Sequence, residues 1–308
     1  VYADTGDNSD FSKDRLVSTL LYFAIQFWYF HFSIRMNLPH PHPLALFVLV
    51  PLNHRAKEVL THPSNEHFVS RLLRPGEHDK LVLNIGHVRS VSGYTTVANL
   101  GRFGDVFVEG PSISRIHCLF EIHPVSKVVM FYDKSINQTS RVDGKNAMPF
   151  GHLRPRKVVV LPDFNDIIEM DWPDNPVWFQ LIWRYRSPVA MLDFIENREM
   201  DTLQDHPRVA QIREPPPSQW HNTIHTSLPS QQEMRWRKIG GSLGAGRYGE
   251  VYRVVDCDNG NLMAVKILKP PAVASEQWEI FRTLLKREVE NLSRISHVSR
   301  AYPKILFP

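Results

Sequence analysis

Between residues 79 and 185 the chain is a succession of short β-branched and aromatic runs, each closed by turn formers: LVLNIG, TTVANLGR, DVFVEG, HCLFEI, VVMFYD, RKVVVL, NDIIEM and VWFQLIW. Runs of this length at roughly 8–12-residue spacing, with no helical periodicity between them, predict an antiparallel sandwich or barrel and exclude βαβ units. This texture fills only part of the chain. With 308 residues, 43% hydrophobic and 22% charged, the composition is globular and the length suits about two domains.

The net charge of +4 is unevenly distributed. Residues 231–308 carry 13 Lys and Arg against 8 Asp and Glu, whereas residues 1–230 carry 23 against 24. A general polyanion-binding surface, and with it direct nucleic-acid binding, is therefore a poor reading. Cys118 and Cys257 are far apart and match no paired metal-ligand spacing, so no metal site and no disulfide framework is expected. An intracellular setting, nucleus or cytoplasm, follows.

Residues 16–34 (LVSTLLYFAIQFWYFHFSI) form an apolar run long enough to span a bilayer, interrupted by Gln26, His31 and Ser33. The chain begins at Val1, with Met36 just beyond the run, so residues 1–35 read as a mis-joined upstream segment or, in the alternative, as a membrane anchor. Residues 36–78 read as a lead-in that opens with NLPHPHP.

Three segments of the β region carry groups suited to an oxyanion. Gly101-Arg102 comes first, Ser114-Arg115-Ile116-His117 follows, and Asp133-Lys134-Ser135-Ile136-Asn137-Gln138-Thr139 closes the set. A phosphate monoester calls for an Arg fork, a short hydroxyl donor and oriented amides, and charge-assisted bonds of this kind contribute about 1.5–3 kcal/mol each. In this order the segments resemble the forkhead-associated (FHA) family, whose pattern is Gly-Arg, Ser-Arg-x-His and Asp-x-Ser-x-Asn-Gly-Thr. The resemblance implies a β-sandwich over 79–185 that binds phosphothreonine peptides of partner proteins. Arg102 and Ser114 would hold the phosphate, Arg115 would assist, and Asn137 would fix the peptide backbone. His117 would brace the loop from inside. Gln138 stands where the family has Gly, which leaves the geometry of that loop open.

Residues 186–233, with Pro215-Pro216-Pro217, read as a linker with a short helix near 188–204. From 234 the pattern predicts strands over 237–243, 250–255 and 262–268 and a helix over 275–296. Leu243-Gly244-Ala245-Gly246-Arg247-Tyr248-Gly249-Glu250-Val251 has glycines spaced to bring backbone amides onto phosphates. A strand and hairpin follow the glycines, where a dinucleotide fold would place a helix. The arrangement resembles the small lobe of the protein kinase family. By that resemblance ATP is the cofactor, with Leu243, Val251 and Ala264 around the base. Gly244, Gly246 and Gly249 would lie over the phosphates and Lys266 would bind them. Glu288 is spaced with Leu284, Leu285 and Leu292 on an apolar face and needs a partner there; Lys266 is the expected one.

The expected fold class is thus mainly β, an FHA-type β-sandwich followed by a partial α+β kinase small lobe over 234–308. The order of the two resembles fungal checkpoint kinases of the DNA-damage response. Two Ser-Gln pairs, at Ser218 and Ser230, accompany it. Neither His-Arg-Asp nor Asp-Phe-Gly occurs in the sequence, and those motifs supply the catalytic base and hold magnesium. This chain is therefore expected to bind phosphothreonine peptides and ATP without transferring phosphate; the alternative is a membrane-tethered, non-catalytic phosphopeptide adaptor.

Overall fold

Alternating burial along one strand shows how the core is built. In Val177–Trp183 the residues Val177, Phe179, Leu181 and Trp183 are buried, while those between them are half-exposed. This is the period of two that a strand with one face in a core must have. The computed structural model describes residues 41–73, 79–93, 95–151, 154–198, 203–205, 234–246, 249–269 and 276–294, without the side chains of residues 276, 277, 288, 289 and 291–294. The apolar run 16–34, most of the linker, and Arg247 and Tyr248 lie outside the described residues.

In chain order the elements are β1 (Phe47–Pro51), α1 (His54–Thr61), a 3-10 helix (Pro63–Phe68), β2 (Val69–Leu72), β3 (Lys80–Ile85), β4 (Val88–Arg89), β5 (Thr96–Gly101), β6 (Val106–Phe107) and β7 (Cys118–Ile122). There follow β8 (Val129–Asp133), β9 (Arg141–Asp143), β10 (Lys157–Val160), β11 (Ile167–Met170), β12 (Val177–Trp183) and α2 (Pro188–Glu196). The last are β13 (Gln204–Asp205), β14 (Trp236–Gly246), β15 (Gly249–Asp256), β16 (Leu262–Leu268) and α3 (Glu276–Arg294).

The chain is mainly β. A six-stranded sheet of order β2-β3-β1-β12-β11-β9 faces a five-stranded sheet of order β10-β8-β7-β5-β6. Their inner faces share one apolar core, and Phe47 of β1 meets Phe120 of β7 edge-on at 5.0 Å between ring centres. The eight runs read from the sequence correspond to β3, β5, β6, β7, β8, β10, β11 and β12.

The sheets reach beyond the span where the strand-rich texture is visible. β1 sits between β3 and β12, so part of the segment read as a lead-in is a central strand. Asn53 starts α1 after it, its side chain accepting from the Ala56 N–H at 3.0 Å. At the other end the short helix of the linker packs as α2, burying Met191, Leu192 and Ile195. Among the described residues no helix is long and apolar enough to cross a membrane.

β14, β15 and β16 form a separate antiparallel sheet. It is joined to the larger structure at the turn between β15 and β16. The Val159 N–H of edge strand β10 donates to the Cys257 carbonyl at 2.9 Å. Asp258 accepts from Arg154 and Arg235, all three side chains being largely buried. Ile239, Val255 and Cys257 belong to the same apolar core as the two larger sheets. Gly260 packs so closely that a Cβ there would stand 2.8 Å from Met130 Sδ.

Candidate functional site

Three loops meet at one end of the five-stranded sheet. The Gly-Arg turn follows β5, the Ser-Arg turn precedes β7, and the 134–140 loop follows β8. The Arg102 N–H donates to the Ser114 carbonyl at 3.1 Å, and the Phe103 N–H donates to the Arg115 carbonyl at 2.8 Å. Gly101 permits this approach, since a Cβ there would lie 2.5 Å from the Arg115 oxygen. The turn is held from beneath by Asp105, a buried carboxylate that accepts from Ser90 Oγ at 2.6 Å, the Val91 N–H at 3.1 Å and the Asn99 N–H at 3.0 Å. Asn99 returns the bond by accepting the Asp105 N–H at 2.7 Å.

His117 ties the second loop to the third. Its Nδ1 accepts the Ser114 N–H at 3.2 Å, so Nε2 carries the proton and donates to Thr139 Oγ1 at 3.3 Å. Burial lowers its pKa, outweighing the charges of Asp133 and Asp171, which keeps the ring in the neutral form this pattern requires. Ser114 Oγ accepts the Ile136 N–H at 3.1 Å, which leaves the hydroxyl its own proton to give. In the third loop Ser135 donates through N–H and Oγ to Asp133 Oδ1 at 2.9 and 2.6 Å, and Ser135 Oγ accepts the Thr139 N–H at 2.8 Å.

Gln138 adopts φ +54, the left-handed conformation that glycine reaches without penalty. Arg156 holds it there. Its Nη2 donates to the carbonyls of Gln138 at 2.7 Å and Ser140 at 2.6 Å, while Nε and Nη2 reach Asp133 Oδ2 at 2.9 and 2.6 Å. Arg156 and Asp105 were not among the residues singled out by sequence. Arg156 gives no local signal, because it stands just before β10 as any charged residue ahead of a strand would. Asp105 sits in the turn that follows Gly101-Arg102 and could have been suspected as a turn carboxylate.

Of the sequence-derived set, Arg102, Arg115 and Asn137 are exposed and Ser114 is buried. The guanidinium of Arg115 stands over the exposed Phe103 ring at 4.8 Å. Two guanidinium-bearing residues, a hydroxyl with a proton to donate and a side-chain amide thus come from three backbone-coupled loops. Such a group can bind a multiply charged oxyanion. Among the described residues no cluster of His, Cys, Asp or Glu is placed to hold a metal ion.

The small sheet brings together a second set. In the antiparallel register Val251 lies opposite Lys266 and Arg253 opposite Ala264. Paired residues project to the same side and alternate residues share a face, so Val251, Ala264 and Lys266 are on one side of the sheet. Leu243 is exposed on β14. A side chain at Gly244 would meet nothing within 4 Å, whereas a Cβ at Gly249 would lie 2.3 Å from the Ile267 carbonyl. Gly249 is therefore required by the close approach of β16. Glu288 lies in α3, but its side chain, and with it the expected Lys266–Glu288 ion pair, is outside the described residues.

No family model matches the chain, and no curated protein matches it. Among solved structures, a crystal structure of Rad53 residues 1–466 in complex with AMP-PNP is similar over 68% of this chain and 42% of that one, at 14% identity and a TM-score of 0.33. The chain thus spans less than half the length of that structure.

Proposed function

We propose that the sandwich is a phosphothreonine-peptide reader of the FHA type. The phosphate is taken by Arg102 and Ser114 with help from Arg115, and the peptide backbone is registered by Asn137. The observation that carries this reading is the coupling of the three loops through Ser114: its carbonyl accepts from Arg102 N–H, its N–H donates to His117, and its hydroxyl accepts from Ile136 N–H. Arg102 and Ile136, 34 apart in sequence, are thereby fixed to one residue, the preorganisation that multidentate anion binding needs.

The sheet β14–β16 with α3 is, in the same proposal, the nucleotide-cradling lobe of a checkpoint-type serine/threonine protein kinase. The shared face of Val251, Ala264 and Lys266 supports it. Val251 and Ala264 would border the adenine and Lys266 would pair with the phosphates of ATP, beneath Gly244 and Gly246. Magnesium binding and phosphoryl transfer would need the His-Arg-Asp and Asp-Phe-Gly motifs, which this sequence does not contain.

Calorimetric titration of the full chain with a phosphothreonine peptide and its unphosphorylated counterpart tests the first half. Binding of the phosphorylated peptide alone, weakened at least ~30-fold in Arg102→Ala by loss of a charge-assisted fork, is expected. Equal affinity for the two peptides, or full affinity in the variant, would refute it.

A further inference from the structure

Two large apolar side chains stand in water beside the oxyanion group. Ile136 is 86% exposed, more than any other large apolar side chain among the described residues, and Phe103 is 60% exposed. A single exposed apolar residue is ordinary on a protein surface. The position of these two is not: Phe103 follows Arg102 directly, and Ile136 directly precedes Asn137.

Both are pinned by their backbones. The Phe103 N–H donates to the Arg115 carbonyl at 2.8 Å, and the Ile136 N–H donates to Ser114 Oγ at 3.1 Å. Ser114 and Arg115 are adjacent, so the two apolar residues are anchored to one dipeptide from opposite sides of the sequence. The Arg115 guanidinium, over the Phe103 ring at 4.8 Å, joins the first of them to the cationic group. Neither residue belongs to the core that the two sheets share. Packing within the folded chain therefore does not account for them, whereas apolar area left in water is area that a ligand gains by covering.

The polar neighbours fix what that ligand must be. Arg102 and Arg115 call for an anion, Ser114 and Asn137 add uncharged donors, and Phe103 and Ile136 call for an apolar group on the same molecule. In an extended peptide alternate residues share a face and each rises about 3.3 Å, so a side chain two positions from the phosphothreonine lies ~7 Å along. Phe103 beside Arg115, and Ile136 between the Ser114 hydroxyl and Asn137, lie within that reach. An anionic bilayer also joins charge to hydrocarbon, but only two apolar side chains, set among uncharged donors, favour the peptide.

We propose that Phe103 and Ile136 are specificity-determining residues that receive a bulky apolar side chain within two residues of the phosphothreonine. The proposal rests on the phosphothreonine reading given above.

Calorimetric titration of the full chain with phosphothreonine peptides carrying Leu or Ser at each position within two residues of the phosphothreonine is the test. Leu at one of these positions is expected to tighten binding ~5–10-fold over Ser. In Phe103→Ser/Ile136→Ser that advantage should fall to ~2-fold or less, while phosphorylated and plain peptides remain distinguished. Both side chains are exposed, so the unfolding temperature of the double variant should match that of the wild type and show that the fold is intact. Phosphate-dependent binding with no gain from Leu, a gain confined to positions three or more residues away, or a gain that survives in the double variant would overturn the proposal and leave the phosphothreonine reading standing. Failure of every phosphorylated peptide to bind would overturn both. Binding to phosphatidylserine vesicles that the double variant loses, without any gain from Leu, would overturn it in favour of a membrane surface.

Discussion

Replacing Arg156 by alanine tests whether the third loop is held in its binding posture by a residue that itself never meets ligand. The guanidinium makes four bonds: two to Asp133 Oδ2 at 2.9 and 2.6 Å, and one each to the carbonyls of Gln138 and Ser140 at 2.7 and 2.6 Å. The Asp133 side chain is fully buried and that of Arg156 is 27% exposed. Removing one partner of a buried pair costs about 3–5 kcal/mol. Here Oδ1 keeps its two bonds from Ser135, and the vacated side is open to water, so ~2–3 kcal/mol is expected. For a domain of this size that lowers the unfolding temperature by ~4–12 °C. Without the clamp, Gln138 at φ +54 is also free to leave a conformation that costs ~1–2 kcal/mol for a residue with a side chain. Phosphothreonine-peptide affinity should fall ~5–20-fold in step with the lost population. Arg156→Lys, which keeps the charge and loses the fork, should recover part of the stability and little of the affinity. Differential scanning calorimetry and peptide titration report the two quantities. An unfolding temperature within ~1 °C of the wild type would refute the energetic argument. Lost stability with unchanged affinity would refute the claim that Arg156 sets the loop.

Asp258→Ala should loosen the small sheet from the sandwich, because it leaves Arg154 and Arg235 facing each other without their shared carboxylate. A loss of ~3–5 kcal/mol should appear as a separate low-temperature transition and faster proteolysis of residues 234–269, whereas a single unshifted transition would disprove the docking. Gly101→Ala sets a Cβ against three backbone atoms at 2.5–2.8 Å and should cost ~1–3 kcal/mol, with loss of phosphopeptide binding measured by titration. His87 has its pKa pushed down to about 4, chiefly by burial. Its neutral form is favoured in the fold, so its contribution is present above pH ~6.5 and is lost as the pH falls toward 4, by up to ~3 kcal/mol. The unfolding temperature of His87→Gln should be correspondingly less steep in that window, and an identical pH profile would exclude the effect.

What could be read from the sequence follows from how local each constraint is. The run that became β12 carries its own period of two, and those that became β7 and β8 are short, almost continuous apolar runs between turn formers, so no partner need be known to recognise them. β1 is a similar apolar run, FVLVP, but its place rests on β12, whose residues lie 128–136 positions away in the antiparallel register. The two-residue strands β4 and β13 are too short to show any period. The helix of the linker was visible, but its packing on the sandwich was not.

The site divides in the same way. Arg102, Ser114 and Asn137 stand in three recognisable turns, whereas Arg156 acts only because Gln138, eighteen residues earlier, is left-handed. The departure at Gln138 and the unremarked Arg156 are two halves of one feature: a side chain where glycine would be free, and a fork that pins its carbonyl. The sharing of a face by Val251, Ala264 and Lys266 needs less information. Once a tight hairpin sets the pairing, parity alone decides which residues look the same way. A one-residue slip of β16 would turn Lys266 to the opposite face and bring Val265 and Ile267 in its place. Parity therefore makes the nucleotide reading testable by register as well as by binding: a single-residue deletion in the Cys257–Gly260 turn that shifts β16 by one should abolish ATP binding even though Lys266 is retained. ATP affinity that survives such a confirmed shift would remove the argument from the face that Lys266 shares with Val251 and Ala264.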